Sequence, residues 1–330
     1  MKKIVCLIVC LVFCVSFRLV SDTPAAEVPF TELEGHTNYV CSAIYSPDGK
    51  TIISASYDET ARIWDAATGK ELRILEDHED DLNFAAFSPD GKKVVTASDD
   101  HTARIWDADS GKVLQTLEGH VGVVNFAAFS PEGKKIVTAS DDGTARIWDA
   151  DTGKELQKLR GHISWSSWLL GEAPGVNSAV FSPDGKKIVT AGDDNTARIW
   201  DAESGKELRK LAWHTDWVRS AAFSPDGKQV VTASDDTLVL IWDTDLGNVQ
   251  QILEGHEEYV CSALFSPDGK RVVTSSWDNT ARIWETESGR ELYTLEGHSD
   301  WVRFAAFSPD GKQVVTASDD NTIRIWTLPQ

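Results

Sequence analysis

Seven histidines of this 330-residue chain are each followed at a set distance by an aspartate. His36 and Asp58, His78 and Asp100, His120 and Asp142, His214 and Asp236, His256 and Asp278, and His298 and Asp320 stand 22 residues apart, and His162 and Asp194 stand 32 apart. An imidazole held by a carboxylate can serve as a general base, and His with Asp can ligate a metal ion. The rest of the sequence gives such chemistry little support. It contains no Gly-x-Ser-x-Gly elbow, phosphate loop, His-Glu-x-x-His or Cys-x-x-Cys. The adjacent acids at 99/100, 141/142, 193/194, 235/236 and 319/320 lack the spacing of a calcium loop. No catalytic residue, metal site or cofactor is expected, and the histidines must be explained by the elements that hold them.

Those elements repeat. The Trp closing each Ala-Arg-Ile-Trp-like stretch falls at 64, 106, 148, 200, 242, 284 and 326, a period of 42 with one ten-residue insertion. Each unit carries four short apolar or alternating runs separated by turn residues, the pattern of four strands. Ser-Pro-Asp-Gly recurs from Ser46, Ser88, Ser182, Ser224, Ser266 and Ser308, with Glu132 in place of the Asp in the third unit. Pro presets one turn angle, and Asp-Gly supplies the local hydrogen bonding and positive φ of a tight hairpin.

Gly-His, Ser-Pro-Asp-Gly and Asp-x-Thr-x-Arg-Ile-Trp-Asp at this period resemble the WD40 repeat family. The resemblance implies an all-β fold, a seven-bladed WD40 β-propeller, with each blade held by a hydrogen-bonded tetrad. Carried onto this sequence, the tetrads are His36, Ser54, Asp58, Trp64; His78, Thr96, Asp100, Trp106; His120, Thr138, Asp142, Trp148; and His162, Thr190, Asp194, Trp200. The last three blades supply His214, Thr232, Asp236, Trp242; His256, Thr274, Asp278, Trp284; and His298, Thr316, Asp320, Trp326. Only His101 is left outside this scaffold. Phe30 and Leu33 stand before His36 as Leu72 and Leu75 stand before His78, so the N-terminal strand is expected to complete the last blade and close the ring. The near-identical repeats are also similar to the WD40 arrays of bacteria.

Residues 1–25 read as a signal peptide or signal anchor and 26–330 as the propeller, with the insertion near 163–174. Met1-Lys2-Lys3 precedes an apolar run from Ile4 to Phe17 that would rise about 21 Å as a helix, short of the roughly 30 Å of a bilayer core. Cleavage after Ala25 would release an exported, periplasmic or extracytoplasmic protein. An uncleaved segment, extended through Leu19 and Val20, would anchor it to the inner membrane, the sole expected membrane contact. Cys6, Cys10 and Cys14 lack the small preceding residue of a lipoprotein signal. A net charge of −20, from 32 Lys and Arg against 52 Asp and Glu, repels nucleic-acid backbones and anionic lipid.

Equivalent positions around the ring separate scaffold from specificity. Three columns are expected on the top face by family resemblance: five and seven residues before the turn Ser, and the residue before each tetrad Asp. Blades two to four carry Asp81, Asn83, Asp99; Val123, Asn125, Asp141; and Gly175, Asn177, Asp193. Blades five and seven carry Trp217, Arg219, Asp235 and Trp301, Arg303, Asp319, while one and six carry Tyr39, Cys41, Tyr57 and Tyr259, Cys261, Trp277. Blades five, six, seven and one are neighbours in a closed ring, so their Trp, Tyr and Arg form an arc with the composition of a binding hot spot. Packing between loops, or pairing of each Arg with its own blade's Asp, is the competing explanation. The insertion adds Trp165 and Trp168, as a binding element or a local cap. These observations point to a non-enzymatic scaffold that captures a protein or peptide segment, with a carbohydrate or small-molecule binder as the alternative and a propeller enzyme behind both.

Overall fold

The computed structural model describes residues 28–162 and 174–329, so the segment expected to be a signal peptide or anchor, and Trp165 and Trp168, lie outside the described residues. Within them, twenty-eight strands, β1 to β28 in chain order, form seven four-stranded sheets. The first blade runs outward from β2 (Val40–Tyr45) through β3 (Thr51–Ser56) and β4 (Thr60–Asp65) to β5 (Glu71–Glu76), every pair antiparallel. Its inner strand β2 packs against β6 (Leu82–Phe87) on one side and β26 (Val302–Phe307) on the other, so the first and last sheets are neighbours.

The last sheet has the order β1-β28-β27-β26, where β1 is Phe30–Leu33, β27 Gln313–Ser318 and β28 Ile323–Thr327. Phe30 pairs with Trp326 and Leu33 with Ile323. The seam is reinforced by side chains. The Glu32 carboxylate accepts a bond from Arg324 at 2.9 Å, and Arg324 lies 4.3 Å from the centre of the Phe30 ring. Strand β28 therefore presents no bare backbone edge along this register.

The second strand of every blade is covered on both faces, because each sheet is sandwiched between two others; β3 is buried from Ile52 to Ser56. Ile52, Ile53, Val94, Val95, Val230 and Val231 are all fully buried there, and each such side chain is worth about 1.5–3 kcal/mol of transfer free energy. At one end of the ring the Ser-Pro-Asp-Gly turns close as expected: Gly49 N–H donates to Ser46 O at 2.9 Å, and Asp48 accepts from the Ser46 hydroxyl at 2.8 Å. Gly49 has φ 71°, a conformation that costs a side chain energy. In blade three the longer Glu132 makes no such turn bond among the described residues, yet Gly133 still donates to Ser130 O at 2.8 Å and keeps φ 71°.

The strand directions place the β3–β4 connection and the loop from β5 to the next blade at the opposite end, here the top face. Leu328 N–H donates to Lys312 O and Thr327 N–H to Pro29 O, so Pro29 and Leu328 both lie at the turn end.

Candidate functional site

The seven histidines are assembled into seven tetrads. In the first blade His36 Nδ1 lies 2.8 Å from Asp58 Oδ2, His36 Nε2 lies 2.7 Å from Ser54 Oγ, and Trp64 Nε1–H donates to the same Oγ at 2.9 Å. The other six repeat this arrangement with Thr in place of Ser. A hydroxyl, an imidazole and a carboxylate in line also describe a nucleophilic triad. Access separates the two. Ser54 and Thr96 are fully buried and each hydroxyl already accepts from an indole, so its proton is directed at His Nε2 and no face is left for a substrate. The chain of donors assigns His as the neutral Nδ1–H tautomer.

The ionisation states follow the same logic. Burial pulls the His36, His120 and His256 pKa values down, only partly offset by the aspartates they bond. Burial works against the charge on Asp58, and the His36 and Thr60 bonds outweigh it, holding its carboxyl well below the usual range. A neutral imidazole donating to an ionised carboxylate is the resting pair.

Above the tetrads, one backbone bond ties the variable columns together in every blade. Tyr57 N–H donates to Tyr39 O, Asp99 to Asp81 O, Asp141 to Val123 O, Asp193 to Gly175 O, Asp235 to Trp217 O, Trp277 to Tyr259 O and Asp319 to Trp301 O. The structure thus brings the predicted residues of each blade side by side. In blades two to four the inner-strand Asn donates to the acid: Asn83 to Asp99 at 2.7 Å, Asn125 to Asp141 at 2.6 Å and Asn177 to Asp193 at 2.8 Å. In blades five and seven the pair is an ionic fork: Arg219 donates to Asp235 at 2.8 and 2.6 Å, and Arg303 to Asp319 at 2.7 Å through both Nε and Nη2.

The aromatics pack on one another. Trp277 and Trp301 stack with centroids 3.8 Å apart and planes within 3°, and Tyr259 leans on Trp277 at 4.9 Å. Arg303 sits 5.2 Å from the Trp301 ring and Arg219 4.8 Å from Trp217. Tyr39 and Tyr57 meet at 6.1 Å. Only Tyr39 (41% exposed) and Trp217 (43%) stand well out, while Tyr57, Tyr259, Trp277, Trp301, Arg219 and Arg303 are half-buried. The same columns carry two partly exposed thiols: burial, against the pull of Arg303 and Arg219, pushes Cys261 up to about 12, and burial likewise raises Cys41.

Sequence reasoning missed Trp213, half exposed on the same face. At the matching position of blade one, a Cβ on Gly35 would come within 2.9 Å of Trp64 and 3.1 Å of Arg62. Blade five has Leu240 where Arg62 stands and Val249 where Glu71 stands, which removes the ion pair that Arg62 and Glu71 make at 2.7 Å and leaves space for an indole. The departure from Gly-His was the available signal.

The family model described as WD domain, G-beta repeat matches residues 27–65, 69–107, 111–149, 153–201, 205–243, 247–285 and 289–327. With seven sheets, seven tetrads and seven matched repeats, the chain belongs to the WD40 repeat family. It is 38% identical over 61 residues to the WD repeat, SAM and U-box domain-containing protein 1 of Gallus gallus, which covers 18% of this chain and 13% of that protein. It is 38% identical over 56 residues to the small ribosomal subunit protein RACK1 of Saccharomyces cerevisiae, covering 17% of this chain and 18% of that protein. The matched segments thus span less than a fifth of either relative. WD40 propellers are typically scaffolds for protein interaction, and no helix among the described residues is long and apolar enough to cross a membrane.

Proposed function

We propose that this propeller is a non-enzymatic scaffold that captures a protein or peptide segment on its top face, along the arc of blades five, six, seven and one, with the 163–174 loop as an added element. The observation that carries the reading is the arc itself. Exposed Tyr39 and Trp217 flank a stacked Trp277–Trp301 pair, and the two arginines beneath are fixed by carboxylates, giving a rigid aromatic surface in a ring whose other positions repeat closely. Rigid aromatics lose little entropy on binding and dominate hot spots.

The yeast relative is by name a small ribosomal subunit protein, which is consistent with a scaffold role. The signal-like segment supports a scaffold exported from the cytoplasm, released or anchored. If anchored, the strand that follows enters the ring at the turn end, which would direct the top face away from the bilayer. The test is affinity capture from the native envelope fraction with wild type beside a Trp217→Ala/Trp277→Ala/Trp301→Ala variant. A protein recovered by wild type alone supports the scaffold; saturation by a soluble glycan with no protein recovered supports the carbohydrate alternative and overturns it.

A further inference from the structure

We propose that the captured segment is basic, with a lysine or arginine side chain seated at the acidic half of the ring mouth and its neighbours against the aromatic half. This rests on the top-face reading above and adds the partner's chemistry.

The mouth is divided by charge. Its two guanidiniums, Arg219 and Arg303, are already matched by Asp235 and Asp319 in forks of 2.6–2.8 Å. Across blades two to four stand Asp81, Asp99, Asp141 and Asp193, and none of the first three has an ion-pair partner among the described residues. Carboxylate oxygens of Asp80, Asp81 and Asp99 converge to within 4.8 Å. An Asn takes one oxygen of Asp99 and one of Asp141, and the second oxygen of each accepts no hydrogen bond among the described residues. Burial, then mutual repulsion, raises the Asp81 pKa; burial with the charges of Asp80 and Asp141 raises that of Asp99 against the Asn83 bond. Exposed His101 is the nearby base that relieves Asp99.

These are acceptors held in a partly desolvated rim without their cation. Ammonium and guanidinium groups carry donors only and match acceptor-only carboxylates. The aromatic wall, built by different residues, supplies an independent surface for the apolar stems of such side chains or for flanking residues. On a chain of net charge −20, a basic segment is also the one drawn in at long range.

The experiment selects displayed random dodecapeptides on the purified chain in EDTA, then titrates the enriched sequences as synthetic peptides. Asp99→Asn/Asp141→Asn/Asp193→Asn is compared with Asp109→Asn/Glu203→Gln/Glu287→Gln, which removes equal charge from the turn end, and with Trp217→Ala/Trp301→Ala; thermal melts verify that each is folded. The expected peptides are rich in Lys or Arg, bind the first variant about tenfold or more weakly, bind the control unchanged, and weaken with salt on wild type and the control but much less on the first variant. Peptides that need the tryptophans but show no basic excess and no loss on Asp→Asn overturn this inference and leave the top-face reading standing. Peptides indifferent to both sets, or no enrichment at all, overturn both.

Discussion

The hydroxyl at the centre of each tetrad has one job, to accept from an indole while donating to an imidazole. Thr138→Val keeps the shape and strands both partners in a buried site, so it is expected to cost about 1–3 kcal/mol in urea unfolding. The imidazoles also set the acid behaviour. Because burial lowers the His36, His120 and His256 pKa values in the folded state, the unfolded chain binds the extra protons first, and stability falls as pH drops below about 6.5. The depressed Asp58, Asp142 and Asp278 carboxyls add a second, steeper loss below about 3.8, partly countered by the raised Asp81 and Asp99. Chemical unfolding followed from pH 8 to 3 is expected to show both phases. Cys41 and Cys261, partly exposed but with raised pKa values, are expected to react with thiol reagents more slowly in native protein than after unfolding, because burial favours the protonated thiol. The tetrads were legible because His, Thr, Asp and Trp recur at fixed spacings. The Trp277–Trp301 stack was not, since it depends on side-chain rotamers across two blades 24 residues apart in sequence.

Strand β1 carries the ring closure, and its residues could be aligned in advance because Phe30 and Leu33 hold the same places as Leu72 and Leu75. Leu33 is 2% exposed in the core, so Leu33→Ala is expected to cost about 2–5 kcal/mol. Deleting Phe30–Leu33 exposes β28 as an open edge and is expected to lower the melting temperature and produce oligomers on size-exclusion chromatography. Blade five shows where pattern reading stopped. Its Trp213, Leu240 and Val249 each break a column, but only the close approach of Gly35 to Trp64 in blade one reveals that the three changes occupy one place.

Across the whole molecule, a nearly uniform scaffold supports a mouth that is aromatic on one side and acidic on the other. The division was visible as columns of residue types, while the neutralisation of Arg219 and Arg303 by their own blades' acids required the structure to decide between ligand contact and internal pairing. The aromatic half is the central claim, and calorimetric titration of the captured partner against wild type and the folded Trp277→Ala/Trp301→Ala variant tests it most directly. Loss of binding by about a hundredfold or more, in line with hot-spot truncations of about 2 kcal/mol or more each, is the predicted result. An unchanged Kd would contradict it and move the binding surface off this arc.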